Sequence, residues 1–484
     1  MNKKDLNPQS VFDFFFKINK IPRPSKHEER MITFLEDFAK EHRLDYETDE
    51  TGNVLIRKAA TAGLENLPTL ILQRHMDMVC DKVVDKEIDF MKDPITSYID
   101  GEWLKAEGTT LGADDGIGCA MQLALLASEN TPHCAIECLF TRDEETGLTG
   151  ANNLKADMLK GDMLINLDSE EEGLFYVSCA GGKTSTATYI YNKVEAPKGF
   201  FFMEATVKGL TGGHSGDDIN KKRANAAKLL ARYLYRVQEK MPVALVEFHS
   251  GKLHNAIPRD GRIVFGVPFA EKENARVEWN VFCSEVEEEF HVTEKNIVWH
   301  MESFYNDDFG CVPEELSRRF ITAMQAMPTG VFSIVQDTVL GDMPETSNNL
   351  AVISTSQNAI TVTSSQRSSV MSNLSNITAT VDSIFTLSGA DKIEHSDGYP
   401  AWKMRAESPL REKAKKCYTE LFGTEPTIKG VHAGLECGLF ARNYPNLDMI
   451  SVGPTMQGVH SPDEKLFIPS VEKVWKLICE IVKS

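Results

Sequence analysis

The sequence lacks an apolar run of the length that a bilayer requires, and it lacks paired cysteines. No window reaches the ~20 apolar residues of a membrane span. None of the ten cysteines forms a Cys-x-x-Cys pair. The early stretch VFDFFFKI is interrupted by Asp13 and Lys17 before it attains the apolar length of a secretion signal. We therefore expect a cytoplasmic protein with reduced thiols.

Positive charge is also scarce. The 484 residues include 52 lysines and arginines against 71 aspartates and glutamates, which gives a formal net charge of −19. A surface that follows nucleic-acid phosphates or anionic lipids needs the opposite balance. We therefore expect no nucleic-acid partner and no membrane partner. The hydrophobic share of 42% is typical of a globular protein, and the length suggests two to four domains.

Two patterns alternate along the chain. Near its start, Ser25 and Glu28 fit a capping box for a first amphipathic helix. Continuous apolar strands such as TLILQRHMD and AIECLFT then alternate with helices, which indicates a mostly parallel sheet with helices on both faces. From about residue 187, half-exposed strands such as FFMEATVKGL predict an α+β domain. The first pattern returns near residue 400. We predict one α/β domain, residues 1–186 and 398–484, interrupted by an α+β insertion at 187–397.

Carboxylates follow the predicted strands of the first part. In an open α/β sheet the functional crevice lies outside the carboxyl ends of the strands, so these side chains are expected to converge. Crowded carboxylates repel one another unless a divalent cation neutralises them. Histidine with carboxylates favours zinc, and manganese and cobalt fit the same ligands. The candidate residues are His75, Asp77, Asp114, Glu144, Glu145 and Asp168.

A two-metal site with one shared carboxylate needs a further histidine. His460 follows the strand LDMISVGP in the second part of the split domain, where such a ligand is expected. Each residue alone has a plainer interpretation: His75 as a structural histidine, and Asp114 or Asp115 as a helix cap. Their combination favours the metal site.

With these residues assembled, the sequence resembles the co-catalytic di-zinc metallopeptidases that include carboxypeptidase G, aminoacylases and carnosinases. The matching features are the His-x-Asp strand end, the GADDG loop, the Glu-Glu pair, the strand-end aspartate and the late histidine. Longer matches are TTLGADDGIG, TRDEETGLTGA, HAGLECGLF and GPTMQGVHSPDE, so the resemblance covers nearly the whole chain. Many relatives have Asp-Asn where this chain has Asp114-Asp115, and the first aspartate matches the bridging ligand.

The resemblance implies two divalent ions per chain, most simply zinc. One would be held by His75, Asp168 and Asp114, and the other by His460, Glu145 and Asp114. Ions ~3.5–4 Å apart can activate a shared water and polarise a scissile carbonyl.

The resemblance also implies roles around the metals. Glu144 would be the general base, and Asp77 would orient His75. The implied activity is hydrolysis of unblocked dipeptides, notably Xaa-His and β-Ala-His. An N-acyl-amino-acid deacylase, a tripeptidase and an inactive peptide-binding member are the alternatives.

For the insertion, the resemblance implies a lid that also forms a homodimer. His214 in GLTGGHSGDDI would stabilise the oxyanion in its own or the partner subunit's site. Asn255 in LHNAIP and Arg367 in SSQRSS would bind substrate, with Arg367 clamping its free carboxylate. Glu436 in HAGLECG would meet the substrate's amino group.

Overall fold

The computed structural model describes residues 5–304, 310–337 and 339–484, which form two compact units. The first unit comprises the chain up to residue 179 together with 402–430 and 435–484. The second comprises 180–401 and 431–434. The predicted limits of the insertion are 187 and 397, and the short return to the second unit at 431–434 was not predicted.

Helices and strands alternate in the first unit up to residue 179. They are α1 (Gln9–Ile18), α2 (Glu29–Glu41), β1 (Asp45–Thr48), β2 (Val54–Lys58), β3 (Leu70–His75), β4 (Ser97–Asp100), β5 (Trp103–Ala106), α3 (Ala113–Ala127), β6 (Ile136–Thr141), α4 (Thr149–Asn153), β7 (Met163–Asn166) and β8 (Leu174–Cys179).

The second unit is richer in strands. Its elements are β9 (Gly181–Ile190), β10 (Val194–Glu195), β11 (Phe200–Lys208), β12 (Gly213–His214), α5 (Ala226–Gln238), β13 (Ala244–Ser250), β14 (Ala256–Ile257), β15 (Gly261–Pro268), a 3₁₀ turn (Phe269–Glu271), α6 (Lys272–Glu289), β16 (Val298–Phe304), β17 (Gly310–Cys311), α7 (Glu314–Ala326), β18 (Gly330–Ile334), β19 (Pro344–Thr355), β20 (Ala359–Ser368), α8 (Met371–Leu387) and β21 (Lys392–His395).

The remaining elements complete the first unit, apart from the last residue of β22, which falls in the segment 431–434. They are α9 (Pro409–Phe422), β22 (Thr427–Val431), α10 (Glu436–Asn443), β23 (Asp448–Ser451), β24 (Met456–Gln457), β25 (Lys465–Phe467) and α11 (Ile468–Lys483).

The main sheet of the first unit has the strand order β1-β2-β6-β3-β7-β23-β8-β22. Its central strands β6, β3, β7 and β23 run parallel to one another. The outer strands β1, β2 and β8 join antiparallel. The α/β class is therefore confirmed, and the parallel arrangement is concentrated at the centre of the sheet. β23, made late in the chain, lies between β7 and β8.

Burial explains why the central strands read as continuous apolar runs. Every residue of β3 and of β6 is buried, as expected for strands covered on both faces. Helix α3 buries all of its residues except Asp114 and Ala127. A helix that is apolar on all sides belongs in a protein interior. The carboxyl ends of these strands and the start of α3 carry the polar residues described below.

The second unit is built on an antiparallel sheet with the order β16-β11-β15-β13-β19-β20-β9-β21, and β18 pairs with β19. Its core includes the ring of Tyr233 in edge-on contact with that of Trp279, with centroids 4.8 Å apart. Burial alternates along the first half of β20, as expected where one face of a sheet is covered, and its second half is buried throughout.

The first helix cap differs from its prediction. α2 begins at Glu29, and Ser25 makes no cap but donates a hydrogen bond to Asp77 Oδ2 at 2.7 Å. Glu28 accepts hydrogen bonds from the amides of Lys26 and Asp143. Ser25 and Glu28 therefore bind residues far away in the sequence, Asp77 and Asp143, instead of capping α2. No helix within the described residues is long and apolar enough to cross a bilayer.

Candidate active site

His75 ends β3 and lies against two carboxylates. Its Nε2 is 3.1 Å from Asp114 Oδ1 and 3.5 Å from Asp168 Oδ1. The side chain of His75 is 1% exposed, while those of Asp114 and Asp168 are 12% and 10% exposed. These three residues come from the end of β3, the start of α3 and the segment after β7, as expected for the carboxyl edge of a parallel sheet.

Asp114 also contacts a second set of ligand atoms. His460 Nε2 lies 3.1 Å from Asp114 Oδ2 and 3.0 Å from Glu145 Oε2. The two oxygens of Asp114 thus face different histidines. His460 follows β24 in a turn, has φ +62°, and its side chain is 50% exposed. One carboxylate, that of Asp114, is therefore shared by a buried half-site with His75 and Asp168 and a more open half-site with His460 and Glu145. We call these five residues the acidic centre.

The charges of the acidic centre shift the pKa values of its members. Burial would lower the pKa of His460, but hydrogen bonds to Asp114 and Glu145 raise it to about 11. Burial and the charge of Asp114 raise the pKa of Glu145 to about 7. The pKa of His75 is also raised well above its ordinary value, because nearby carboxylates outweigh burial. The centre therefore attracts positive charge.

The donor set fits a divalent cation. His75, Asp114, Asp115 and Asp168 place ligand atoms within 4.8 Å of one another, and so do Asp114, Glu145 and His460. The observed separations of 3.0–3.5 Å agree with the edge of about 3.4 Å that a tetrahedral site with ~2.1 Å bonds requires. Imidazole and carboxylate together are the ligands of zinc and similar ions.

Glu144 stands beside these ligands without a hydrogen-bond partner for its carboxylate among the described residues. It places an oxygen within 4.8 Å of ligand atoms of His75 and Glu145. Burial and then the charge of Glu145 raise the pKa of Glu144 well above its ordinary value. A carboxyl group with a raised pKa can both accept and donate a proton near neutral pH.

Asp77 connects the ligands to Glu144. Its Oδ1 lies 3.3 Å from His75 Nδ1 and accepts the Glu144 amide at 3.1 Å, and its Oδ2 accepts the Glu145 amide at 3.3 Å. Asp77 is fully buried. One carboxylate therefore fixes both the ring of a ligand and the turn that carries Glu144.

Two buried arginines, neither predicted from the sequence, lie beneath the centre. Arg74 contacts Asp115 and donates to Asp168 Oδ1 at 3.2 Å. Arg23 donates to the carbonyls of Asp77 at 2.6 Å and Gly112 at 2.6 Å. The arginines partly offset the negative charge of the carboxylates.

The glycines of GADDGIG make room for these arginines. A Cβ at Gly116 would lie 2.6 Å from Arg23 Nη2, and one at Gly118 would overlap Arg74 Nε. This spacing is the only local signal of the arginines that the sequence offered. Asp115, to which the sequence assigned no metal, is buried and pairs with Arg74.

Glu436 lies in the same unit at the start of α10. Its side chain is fully buried, and Oε2 accepts hydrogen bonds from Gln73 and Thr141. Burial raises the pKa of Glu436 to about 7. Oε1 is buried without a hydrogen-bond partner among the described residues. One acceptor of this carboxyl group is thus left for another ligand.

The second unit contains its own polar group, in which the predicted residues His214 and Arg367 lie with Tyr399, His432 and Asp217, and which we call the basic cluster. Arg367 donates to Tyr399 Oη at 2.6 Å and to His214 Nε2 at 3.4 Å. His214 Nδ1 lies 3.1 Å from Asp217 Oδ2. Burial and the charge of Arg367 lower the pKa of His432 to about 3. The cluster has the charge to receive an anionic group.

Asn255 is close in space to the basic cluster through its main chain. The Asn255 carbonyl accepts the amide of Ser215, the residue after His214, at 2.8 Å. The Asn255 side chain itself is exposed. The structure therefore brings together His214 and Arg367 directly, and Asn255 by its backbone.

A carboxylate shared between two histidine-containing half-sites, with an unpaired glutamate next to it, is the arrangement of a metal-dependent hydrolase. The chain belongs to peptidase family M20/M25/M40, whose family model matches residues 71–484. This confirms the family expected from the motifs.

Individual relatives cover the whole chain. The cytosol non-specific dipeptidase of Escherichia coli K12 is 42% identical over 479 residues, which is 99% of this chain and 98% of the relative. The crystal structure of aminoacylhistidine dipeptidase from Vibrio alginolyticus matches with a TM-score of 0.87 and 42% identity, covering 100% of this chain and 98% of that one. A tripeptidase of Staphylococcus aureus shares the fold, with a TM-score of 0.57 and 15% identity over 99% of this chain and 98% of that one.

Proposed function

We propose that the chain is a cytoplasmic metal-dependent dipeptidase that hydrolyses unblocked dipeptides, Xaa-His and β-Ala-His among them. The observation that carries the proposal is the position of Asp114, whose two oxygens face His75 and His460. The names of two relatives, each 42% identical over nearly the whole chain, support the dipeptide substrate and, for one, the cytosolic location.

The acidic centre holds two divalent ions in this proposal. His75 and Asp168 would hold one, His460 and Glu145 would hold the other, and Asp114, whose oxygens face both histidines, would serve each of them. Zinc suits the ligands best, and manganese or cobalt can replace it. When bound, the ions lower the pKa of a shared water and polarise the scissile carbonyl.

Glu144 moves the protons of the reaction. It accepts a proton from the attacking water and returns it to the nitrogen of the leaving amino acid. Its raised pKa and lack of a hydrogen-bond partner within the described chain suit both steps. Asp77 is a positioning residue, because it holds His75 and the amide of Glu144.

Each charged end of the dipeptide is bound by a side chain of the opposite charge. Arg367 binds the free carboxylate, and Tyr399 orients its guanidinium. His214 stabilises the oxyanion in its own or the partner subunit's site, and Asn255 binds the substrate beside it. The free oxygen of Glu436 receives the substrate ammonium group. The second unit acts as a lid and forms a homodimer.

The test is hydrolysis of a small substrate panel by metal-depleted protein, before and after addition of zinc or manganese. The panel contains β-Ala-His, Gly-His, Gly-Leu, Gly-Gly-His and an N-acetylated dipeptide. Restored cleavage confined to the unblocked dipeptides supports the proposal. Preference for the acetylated substrate would favour a deacylase, and preference for Gly-Gly-His a tripeptidase.

A Glu144→Gln variant separates catalysis from binding. Turnover should fall by roughly 10²–10⁴-fold while metal content stays that of the wild type. A wild-type protein that holds its metals and cleaves none of the panel would instead be a peptide-binding protein.

A further inference from the structure

Glu464 is a buried carboxylate that the proposed chemistry does not use. It is 2% exposed and accepts hydrogen bonds from four consecutive backbone amides. Its Oε2 accepts the amides of Leu111 at 2.6 Å and Gly112 at 3.0 Å, and its Oε1 accepts those of Ala113 at 2.8 Å and Asp114 at 3.2 Å. These amides lead into the residue that both half-sites share.

The position of Glu464 along the chain links the two half-sites. It lies four residues after His460, and its own amide donates to the Ser461 carbonyl at 3.0 Å. It directly precedes β25, which pairs with β5 through Lys465 and Lys105. β5 in turn leads into the loop that carries Asp114. One side chain therefore joins the turn after His460 to the loop of the shared ligand.

Side chains also hold the carbonyls of this loop, and Asn19 donates to that of Leu111 at 3.1 Å. Gly112 has φ +67°, a left-handed conformation that other residues rarely adopt. Its carbonyl is held by Arg23 at 2.6 Å. Arg23 and Glu464 thus fix opposite polar groups of the same turn, the first a carbonyl and the second the amides.

We infer that Glu464 is a positioning residue that sets Asp114 between the two half-sites, and this inference rests on the proposed metal-dependent function. Four amides need four acceptor positions, and only an ionised carboxylate offers two oxygens with two each. A glutamine has one such oxygen and turns two N–H donors toward two backbone N–H groups. The loop must then shift, and Asp114 moves with it.

The experiment compares Glu464→Gln with Glu137→Gln in the full chain. Glu137 is a matched control: it is 3% exposed, accepts the amides of Lys160 at 2.9 Å and Gly161 at 3.0 Å, and pairs with Arg57. It contacts none of the predicted metal ligands. Both variants lose a buried carboxylate on backbone amides, so their difference isolates the effect on Asp114.

Two quantities are measured on metal-free protein: amide hydrogen exchange, and Co²⁺ binding followed by its visible absorption. In Glu464→Gln, residues 111–114 should exchange at least ~10-fold faster, Co²⁺ affinity should fall by roughly 10–100-fold, and the spectrum should change. In Glu137→Gln, only residues 160 and 161 should lose protection. Glu464→Gln with wild-type protection and Co²⁺ affinity would overturn the inference.

A second variant covers the case in which the glutamine variant does not fold. Glu464→Asp keeps the charge but is one methylene shorter, so it reaches only part of the loop. Exchange at 111–114 should rise and Co²⁺ affinity should fall by less than in the glutamine variant. Unchanged exchange and affinity in Glu464→Asp would also overturn the inference. If the wild type binds no Co²⁺, the proposed function fails, while exchange at 111–114 still decides whether Glu464 holds the loop.

Discussion

The acidic centre and the basic cluster are two polar groups with different charge surroundings in a single chain. In the first unit, carboxylates surround His75 and His460 and raise the pKa of both. In the second, burial and Arg367 lower the pKa of His432 to about 3. The same residue type thus becomes a proton-binding group in one unit and a permanently neutral one in the other. Charge surroundings, rather than residue identity, decide what each histidine can bind.

Removal of the shared carboxylate should break the acidic centre completely. Asp114→Ala takes one oxygen from each half-site, so metal content should fall from about two ions to below one and turnover should vanish. Metal analysis with dipeptide hydrolysis checks this. Asp115→Asn is the control, because Asp115 pairs with Arg74 and should leave both ions bound. The reverse pattern would make Asp115 the shared ligand.

A smaller loss is expected when the support of the buried half-site is changed. Asp77→Asn removes the negative charge beside His75 Nδ1 and leaves one acceptor oxygen instead of two, so it should lower metal affinity or kcat by ~10–100-fold. Ser25→Ala removes one hydrogen bond to Asp77 and keeps its charge, so it should have the weaker effect. Equal effects of the two changes, measured by metal titration and kcat, would contradict a charge-based role for Asp77.

Substitutions in the basic cluster should change substrate binding rather than metal binding. Arg367→Met should raise KM for dipeptides by about tenfold or more, since a charge-assisted hydrogen bond contributes ~1.5–3 kcal/mol. Metal content should stay unchanged. Tyr399→Phe removes only the acceptor for Arg367 and should raise KM less. A loss of metal in Arg367→Met would remove the functional distinction between the two groups.

The smallest effect concerns stability and pH. His432 has a folded-state pKa of about 3 against an ordinary 6.5, so between these values the unfolded chain binds a proton that the folded chain does not. The contribution of His432 to stability therefore falls as pH drops below 6.5, by at most ~1.4 kcal/mol per unit, and is constant above it. Urea unfolding of wild type and His432→Gln at pH 7, 6 and 5 checks this. Parallel stability profiles would refute the prediction.

The sequence predicted the parts of the site that sit at strand ends. His75 ends one apolar run and Asp168 follows another, and periodicity marks where such runs stop. Asp114 lies in a glycine-flanked turn at the start of α3. His460 could be predicted because the ligands found for a two-metal site lacked one histidine. The pairing of a late strand between β7 and β8 had no local signal, because strand order depends on contacts between distant segments.

The supporting residues were harder to find from sequence. Arg23, Arg74 and Glu464 act through backbone carbonyls, buried carboxylates and backbone amides far away in the chain. Charged residues are usually exposed, so a sequence pattern gives no reason to bury these three. The only local sign of the arginines in the sequence is the pair Gly116 and Gly118, which leave space for them.

The position of β23 between β7 and β8 determines when the main sheet can be completed during synthesis. While the inserted unit is being translated, β7 and β8 have no strand between them. His460 is made about 290 residues after Asp168. At ~5–20 residues per second, that interval is roughly 15–60 s. The nascent chain therefore carries an open sheet until β23 has been made, and the proposed ligand set is incomplete until His460 has been made. In the proposed two-metal site, the half-site of His460 and Glu145 would therefore be completed only after the whole inserted unit has been translated.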